Sequence, residues 1–254
     1  MKRTALLLTA ALATWSVTDR VQADWIPEMG HKMHHAQLPD ANGWDVDITT
    51  DTVYEDFECS ATGPIHDVHF WASWQGDQVG QITWIDVSLH ADVPAGADPN
   101  PLITYSHPDS VMYDEANRLW YRRFLPDEFV IRTAGQGNQG WLAPSFSQPV
   151  WNRSDHDLYY QVNIPLITEP YVQKKGTIYW LGLHVGVAET NTQLGWKTTL
   201  NPWNDDAAYW YAGQWNELID PTDGSSLDLA FVITPEPATL SLLLLGVGTI
   251  LRRR

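Results

Sequence analysis

Apolar and polar residues alternate with a period of two through most of this chain, the mark of half-buried strands, and helical periodicity is scarce. In VHFWASW, Val68, Phe70, Ala72 and Trp74 fall on one face, with His69, Trp71 and Ser73 on the other. ITWIDVSLH places Thr83, Ile85, Val87 and Leu89 inward and Asp86, Ser88 and His90 outward. DLYYQVNI collects Leu158, Tyr160, Val162 and Ile164 on one side, while LDLAFVI turns Leu227, Leu229, Phe231 and Ile233 in and Asp228 out. TIYWLGLHV is apolar on both faces, as a central strand is. RLWYRRF and EFVIRT read as a hairpin turned at Pro126-Asp127, AAYWYAGQW reads as a further strand, and a short helix fits only around Asp114 to Leu119.

Turn-rich segments separate these runs: DVPAGADPNP, AGQGNQG, SFSQP and DPTDGSS. About ten strands without alternating helices predict an all-β domain, an antiparallel β-sandwich of jelly-roll-like plan. The spacing Gly135, Gly137, Gly140 matches a dinucleotide-binding fingerprint, but Trp141-Leu142-Ala143-Pro144 supplies no helix N-terminus for a pyrophosphate. A glycine loop between strands is the plainer reading. No internal repeat divides the chain, so one domain is expected.

The two ends follow a different pattern. Lys2 and Arg3 precede an apolar stretch from Ala5 to Trp15, and Val21-Gln22-Ala23 puts small residues where signal peptidase cuts. A secretory leader over residues 1–23, cleaved between Ala23 and Asp24, is expected. At the other end, Ala238 to Leu251 carries no charge and no proline; as a helix it spans about 21 Å, short of a hydrocarbon core of about 30 Å. Arg252, Arg253 and Arg254 would hold it on the cytoplasmic side as a transient, marginal membrane stop. Pro235-Glu236-Pro237, an apolar helix and a terminal basic cluster together resemble the PEP-CTERM sorting signal of bacterial envelope proteins. That resemblance implies that an exosortase-like enzyme acts on residues 235–254 after export, leaving residues 24–234 as the mature sandwich domain in the cell envelope or extracellular matrix. Across the domain, LPDANGWDVD, EDFECSATGPIHDVHFWASW, SLHAD and LDLAFVIT resemble an uncharacterised family of exported bacterial domains, which supports the sandwich and implies no activity.

Composition sharpens this picture in three places. Six of the 15 Lys+Arg and two of the 31 Asp+Glu lie in the two ends, leaving 9 against 29 and a net charge of −20 in between. Such a surface repels nucleic acid and anionic membranes. Cys59 is the one cysteine, so no internal disulfide can form. Thirteen of the 14 tryptophans fall between the ends, a load that serves either a core or a platform on which sugar rings stack.

Candidate sites follow from these residues. Trp203, Tyr209, Tyr211 and Trp215 crowd one short region, NPWNDDAAYWYAGQW, and are read either as core or as glycan contacts; on a single strand Tyr209, Tyr211 and Trp215 share a face opposite Trp210. The loop carboxylates Asp205, Asp206, Asp220 and Asp223 are read either as ligands of a structural calcium ion or as ordinary turn residues. His31, His34, His35, His66 and His69 lack the spacing of a transition-metal site. No nucleophile elbow, phosphate loop or motif around Cys59 marks a catalytic centre. The expectation is an exported, non-enzymatic protein of structural or polysaccharide-associated role, with a glycan-active jelly-roll enzyme and a purely mechanical matrix component as alternatives.

Overall fold

The computed structural model describes residues 25–145 and 149–234. The leader, with Ala23 and Asp24, and the tail, with Pro235, Glu236, Pro237, Arg252, Arg253 and Arg254, lie outside the described residues. In chain order the strands are β1 (Trp44–Asp47), β2 (Val53–Glu58), β3 (Gly63–Pro64), β4 (Asp67–Trp74), β5 (Ile82–Val93), β6 (His107–Pro108), β7 (Trp120–Phe124) and β8 (Val130–Ala143). There follow β9 (Val150–Ile164), β10 (Val172–Gln173), β11 (Ile178–Val187), β12 (Leu194–Lys197), β13 (Ala208–Tyr211), β14 (Gln214–Glu217) and β15 (Phe231–Thr234). The fold is all-β, and among the described residues no helix is long and apolar enough to cross a membrane. Asp114 to Leu119 is not the short helix its sequence suggests but a run of turns held by bonds from the Asn117 and Arg118 amides to the Asp114 carbonyl.

Two sheets pack face to face. One runs β14-β13-β2-β11-β5-β6, with β7 also paired to β5. The apolar strand β11 sits in its middle, between β2 and β5, which is why both of its faces are buried. The other runs β12-β1-β8-β9-β4-β15, and β12 pairs with β4 as well as with β1. Those extra bonds (Leu194 opposite Trp74, Trp196 opposite Ala72) close β1, β8, β9, β4 and β12 into a ring. The expected uniformly antiparallel pairing fails at one place, because β1 and β8 run parallel, with Asp45 beside Trp141.

The long strand β8 bends to complete the ring. Its register against β9 slips between Thr133 and Gly135, between Gln136 and Gln139, and between Gln139 and Trp141, and bulges of this kind sharpen local bend and twist. The three glycines are therefore strand residues rather than a loop. They permit close approach: a Cβ on Gly137 would collide with the Ala41 carbonyl, and one on Gly140 would lie 2.4 Å from the Trp44 ring.

Between the sheets, Val68, Phe70 and Ala72 of β4 meet Ile85, Val87 and Leu89 of β5 and Leu181 and Leu183 of β11, all essentially without solvent exposure. Phe70, Trp196, Phe231 and Phe57 continue edge to face through the centre, with ring centroids 6.3, 5.9 and 5.6 Å apart in turn. Each such apolar side chain contributes about 1.5–3 kcal/mol by leaving water, so burial holds this disulfide-free domain together.

Two sequence expectations are corrected here. Pro126-Asp127 does form a turn, with the Glu128 amide bonded to the Leu125 carbonyl, but β7 and β8 do not pair: β7 joins β5 in one sheet and β8 joins β9 and β1 in the other. The turn carries the chain across the sandwich. Asp86, Ser88 and His90 do occupy the outer face of β5, yet all three are fully buried. A second, smaller core built from Tyr54, Ile103, Met112, Trp180, Ala208 and Trp215 covers that face, so outward does not mean solvated.

Candidate functional site

A cleft of about 550 Å³ lies between the ring and the loop that precedes β15, within the range of about 300–1,000 Å³ usual for small-ligand sites. Asp40, Asn42, Trp44, Asn138, Arg153 and Asp220 line it. Strand β1 presents Trp44, whose indole N–H donates to Asp220 Oδ2 at 2.7 Å. The Thr222 amide and hydroxyl both donate to Asp220 Oδ1, at 2.7 and 2.5 Å, and Arg153 Nη2 donates to Thr222 Oγ1 at 2.5 Å. Burial pushes the Asp220 carboxyl up, but these hydrogen bonds and the Arg153 charge outweigh it and hold the group below the usual carboxylate value. Across the floor, the Asn138 amide N–H donates to Asn42 Oδ1 and the Asn42 amide N–H to Asp40 Oδ1.

Trp151 of β9 is not part of the lining but stands edge-on to Trp44, which is, with ring centroids 6.1 Å apart, and 47% of it is open to solvent. A large exposed ring beside fixed amides and carboxylates suits a sugar: a flat face for one side of the ring, acceptors and donors for its hydroxyls. Sequence patterning did not single out Trp44, Trp151 or Arg153. The only signal was the excess of tryptophan, which does not tell a core ring from a rim ring.

The aromatic cluster expected near residue 210 is arranged differently from a single strand. Its residues form the hairpin β13–β14, turned at Ala212 and Gly213 with φ of 53° and 83°. Two positive φ values are what the tightest hairpin turns require. Trp210 pairs directly with Trp215, so these two share a face, and Tyr209 and Tyr211 take the other. Trp215 is buried in the smaller core, and Tyr209 and Tyr211 are half-buried. The Trp203 ring is covered by His34, stacked at 4.0 Å. Of the region's rings only Trp210 is largely exposed. The histidines near the start of the domain are likewise packed: burial lowers the His34 pKa to about 3, and His35 bonds to the Asn201 carbonyl at 3.0 Å.

The four loop carboxylates do not form one ligand set. Asp205 accepts from the Ser106 hydroxyl, Asp220 is committed to Trp44 and Thr222, and Asp223 is exposed and accepts from the Ser225 amide. Among the described residues no group of three or more His, Cys, Asp and Glu side chains is arranged to hold a metal ion.

Asp205 and Asp206 instead lie near three buried carboxyls: Glu55 and Asp56, which sequence patterning did not single out, and Asp228, which it turned outward and which lies buried in the loop before β15. Glu55 and Asp56, successive on β2 and therefore on opposite faces, are both fully buried, and Asp228 is nearly so. Glu55 accepts from Gln37 Nε2 at 2.8 Å and from the Leu229 amide at 3.0 Å; Asp56 accepts from Asn204 Nδ2 at 2.6 Å. Asp228 accepts from the Trp203 amide at 2.5 Å. Burial, reinforced by mutual repulsion, raises Glu55 well above its ordinary value, Asp56 to about 8 and Asp228 to about 6.

Each strand of the ring contributes one polar side chain to a second buried cluster. Asp45 of β1, Ser73 of β4, Gln139 of β8, His156 of β9 and Lys197 of β12 are all enclosed. Lys197 Nζ lies 2.9 Å from Asp45 Oδ2 and also donates to Gln139 Oε1, which accepts from the Ser73 hydroxyl at 3.0 Å. His156 Nε2 lies 3.1 Å from the same Asp45 oxygen, and its Nδ1 lies 3.0 Å from Asp155 Oδ2. Burial disfavours the imidazolium, but the two carboxylates outweigh that and raise the His156 pKa above the ordinary imidazole value.

The molecule is thus an all-β sandwich domain with a polar cleft flanked by tryptophan and a charged cluster inside one closed sheet. Residues 33–234 match the family described as Domain of unknown function (DUF7901), and the chain belongs to that family. No curated protein and no solved structure matches it.

Proposed function

We propose that this is an exported protein of the cell envelope or extracellular matrix whose jelly-roll-like sandwich associates with polysaccharide through the cleft at Trp44 and Trp151. The observation that carries the reading is the exposed Trp151 ring set against Trp44, which itself lines a cleft shared with Asp40, Asn42, Asn138 and Asp220. The leader at residues 1–23 brings the chain across the membrane and signal peptidase cuts after Ala23. The tail at 235–254, through Pro235-Glu236-Pro237 and its arginines, hands it to an exosortase-like enzyme. Loss of processing when the PEP tripeptide is replaced by alanines tests that route; normal release of the altered precursor refutes it.

One observation favours a glycan-active enzyme as the second reading. Asp228 and Asp220 line the same cleft with pKa values pushed apart, up to about 6 for Asp228 and downward for Asp220, the pattern of an acid and its ionised partner. Against it, Trp44 and Thr222 hold Asp220 by hydrogen bonds on both oxygens, which is enough to explain its lowered pKa without a catalytic role. Binding is the better account. In affinity gels cast with neutral or charged polysaccharides, the protein is retarded by one class of polymer and Trp151→Ala removes the retardation. Equal mobility of the two proteins in every gel refutes the cleft, and reducing ends released over time replace binding with hydrolysis.

A further inference from the structure

We propose that Lys197 and Asp45 condense to an intramolecular amide, a covalent cross-link between β12 and β1 inside the closed ring. The two residues are direct cross-strand partners, so their side chains rise side by side from adjacent antiparallel strands. Both side chains are fully buried, with Nζ 2.9 Å from Oδ2. Gly195 leaves the space: a Cβ there would press on both Asp45 and Trp141 at 2.8–2.9 Å. Water is kept out by the ring itself and by the Trp141 side chain, 1% exposed, beside His156.

The partners of each atom match the two sides of such a reaction. Asp45 Oδ2 is contacted by both Lys197 and His156, whereas Oδ1 is buried with no hydrogen-bond partner among the described residues. A carboxylate oxygen left unpaired in the interior is costly, and the carbonyl oxygen of a neutral amide is much less so. Gln139 Oε1 accepts from Nζ; its own orientation is fixed by the Ser73 hydroxyl and by a bond from Nε2 to the Asp157 carbonyl at 2.6 Å. It therefore holds one Nζ hydrogen in place, the one that an amide N–H retains.

The step balances without any further reagent. A proton passes from the ammonium to the carboxylate, and the freed amine attacks Asp45 Cγ through its lone pair. Oδ2, protonated a second time from His156, leaves as water, and His156 recovers its proton from the nitrogen. The Nζ–Cγ bond forms, the Cγ–Oδ2 bond breaks, Oδ1 becomes the amide carbonyl, and nothing is oxidised or reduced. His156 acts as the proton carrier, with Asp155 behind it. Neutralising both buried charges removes their desolvation cost, and expelling water from a closed site draws the condensation forward.

Intact mass spectrometry of the purified, folded chain tests this. Relative to Lys197→Arg, whose guanidinium does not condense, the protein should be lighter by the side-chain difference plus one water. Fragmentation should then join the peptide containing Asp45 to that containing Lys197, with trypsin no longer cutting after Lys197. Asp45→Asn should close with loss of ammonia instead, and His156→Gln should slow closure at least tenfold. A folded chain at full sequence mass after prolonged incubation overturns the proposal. So does a one-water loss that fragmentation places elsewhere, such as a cyclised Asp223-Gly224.

Discussion

Around Asp45 a buried carboxylate meets an ammonium and an imidazole; around Asp56 buried carboxylates meet amides and one another. The two clusters lie in opposite sheets of one sandwich and answer the same problem differently. Inside the ring, charge is cancelled by charge until the amide closes, and each of five strands supplies a member. Beside β2, among the described residues no cation faces Glu55, Asp56 or Asp228 in the contacts they make, so the proton takes its place and their pKa values rise. Burial alone does not decide whether an acid is stabilising. The sign depends on which partner the fold delivers to it.

The most damaging change is expected in the balanced cluster. Lys197→Met leaves the Asp45 carboxylate in the interior with neither the ammonium nor the amide, and breaking a buried pair in this way costs at least about 3–5 kcal/mol, enough to lower the melting temperature by roughly 6–20 °C in a domain of this size. Thermal melts of Lys197→Met and of Asp45→Leu with Lys197→Met break the comparison if the double variant is no better than the single one. In the unbalanced cluster the same kind of change has the opposite sign. Asp56→Asn removes an ionisation that the fold opposes, and at pH 8 it should raise the melting temperature by about 2–4 °C, the effect of ~1 kcal/mol. At pH 4, where the aspartic acid is already neutral in the folded state, the gain should vanish.

Those signs set the pH dependence of the unaltered protein. Asp56 is raised in the fold to about 8, above an unfolded value of about 3.9. The folded state therefore binds the extra proton, and stability is full near pH 4 and is lost as pH rises toward 8. Asp228, raised to about 6, acts the same way over the lower half of that window. His156 adds to the slope from another direction: its raised pKa contributes stability that is complete below the ordinary imidazole value and fades as pH climbs through the folded one. A melting temperature falling steadily from about pH 5 to pH 8 is expected, and calorimetry across that range reads it. A rise instead would mean that β2 has a counter-ion.

Most strands were legible because period-2 alternation is a local property: the inward set of β4, Ile85, Val87 and Leu89 of β5 and Val162 and Ile164 of β9 are those the sequence pattern marks, while Thr83, Leu158 and Tyr160 are only half-buried. What was not legible is non-local. Lys197, Asp45 and Ser73 occupy polar positions of alternating strands and look solvated; only closure of the ring, made by β12 pairing on both sides, buries them. The same holds for β7 and β8, adjacent in sequence but placed in different sheets. Asp86, Ser88 and His90 fail similarly, since an outer face is wet only until another segment covers it. At the cleft, Trp44 and Trp151 come together through the β1–β8 and β8–β9 pairings, which no short window of sequence contains.

The glycines of β8 give a smaller effect that sharpens the contrast between the ring and the cleft beside it. Gly140→Ala would push a methyl carbon into the Trp44 ring, 2.4 Å from Cε3, with no flexible side-chain end to give way. Overpacking of this kind costs about 1–3 kcal/mol, and it should displace the indole that orients Asp220, so polysaccharide retention should fall along with the melting temperature. Trp151→Ala, by contrast, removes a ring that is 47% exposed and should move stability by no more than about 0.5 kcal/mol. Its retention in the same gel should nonetheless be lost. The pair separates a cleft that is merely well packed from one that binds: if Trp151→Ala melts normally and migrates like the unaltered protein, the exposed ring has no partner there, and the ring of strands with its buried charges is left as the part of this domain under the stronger constraint.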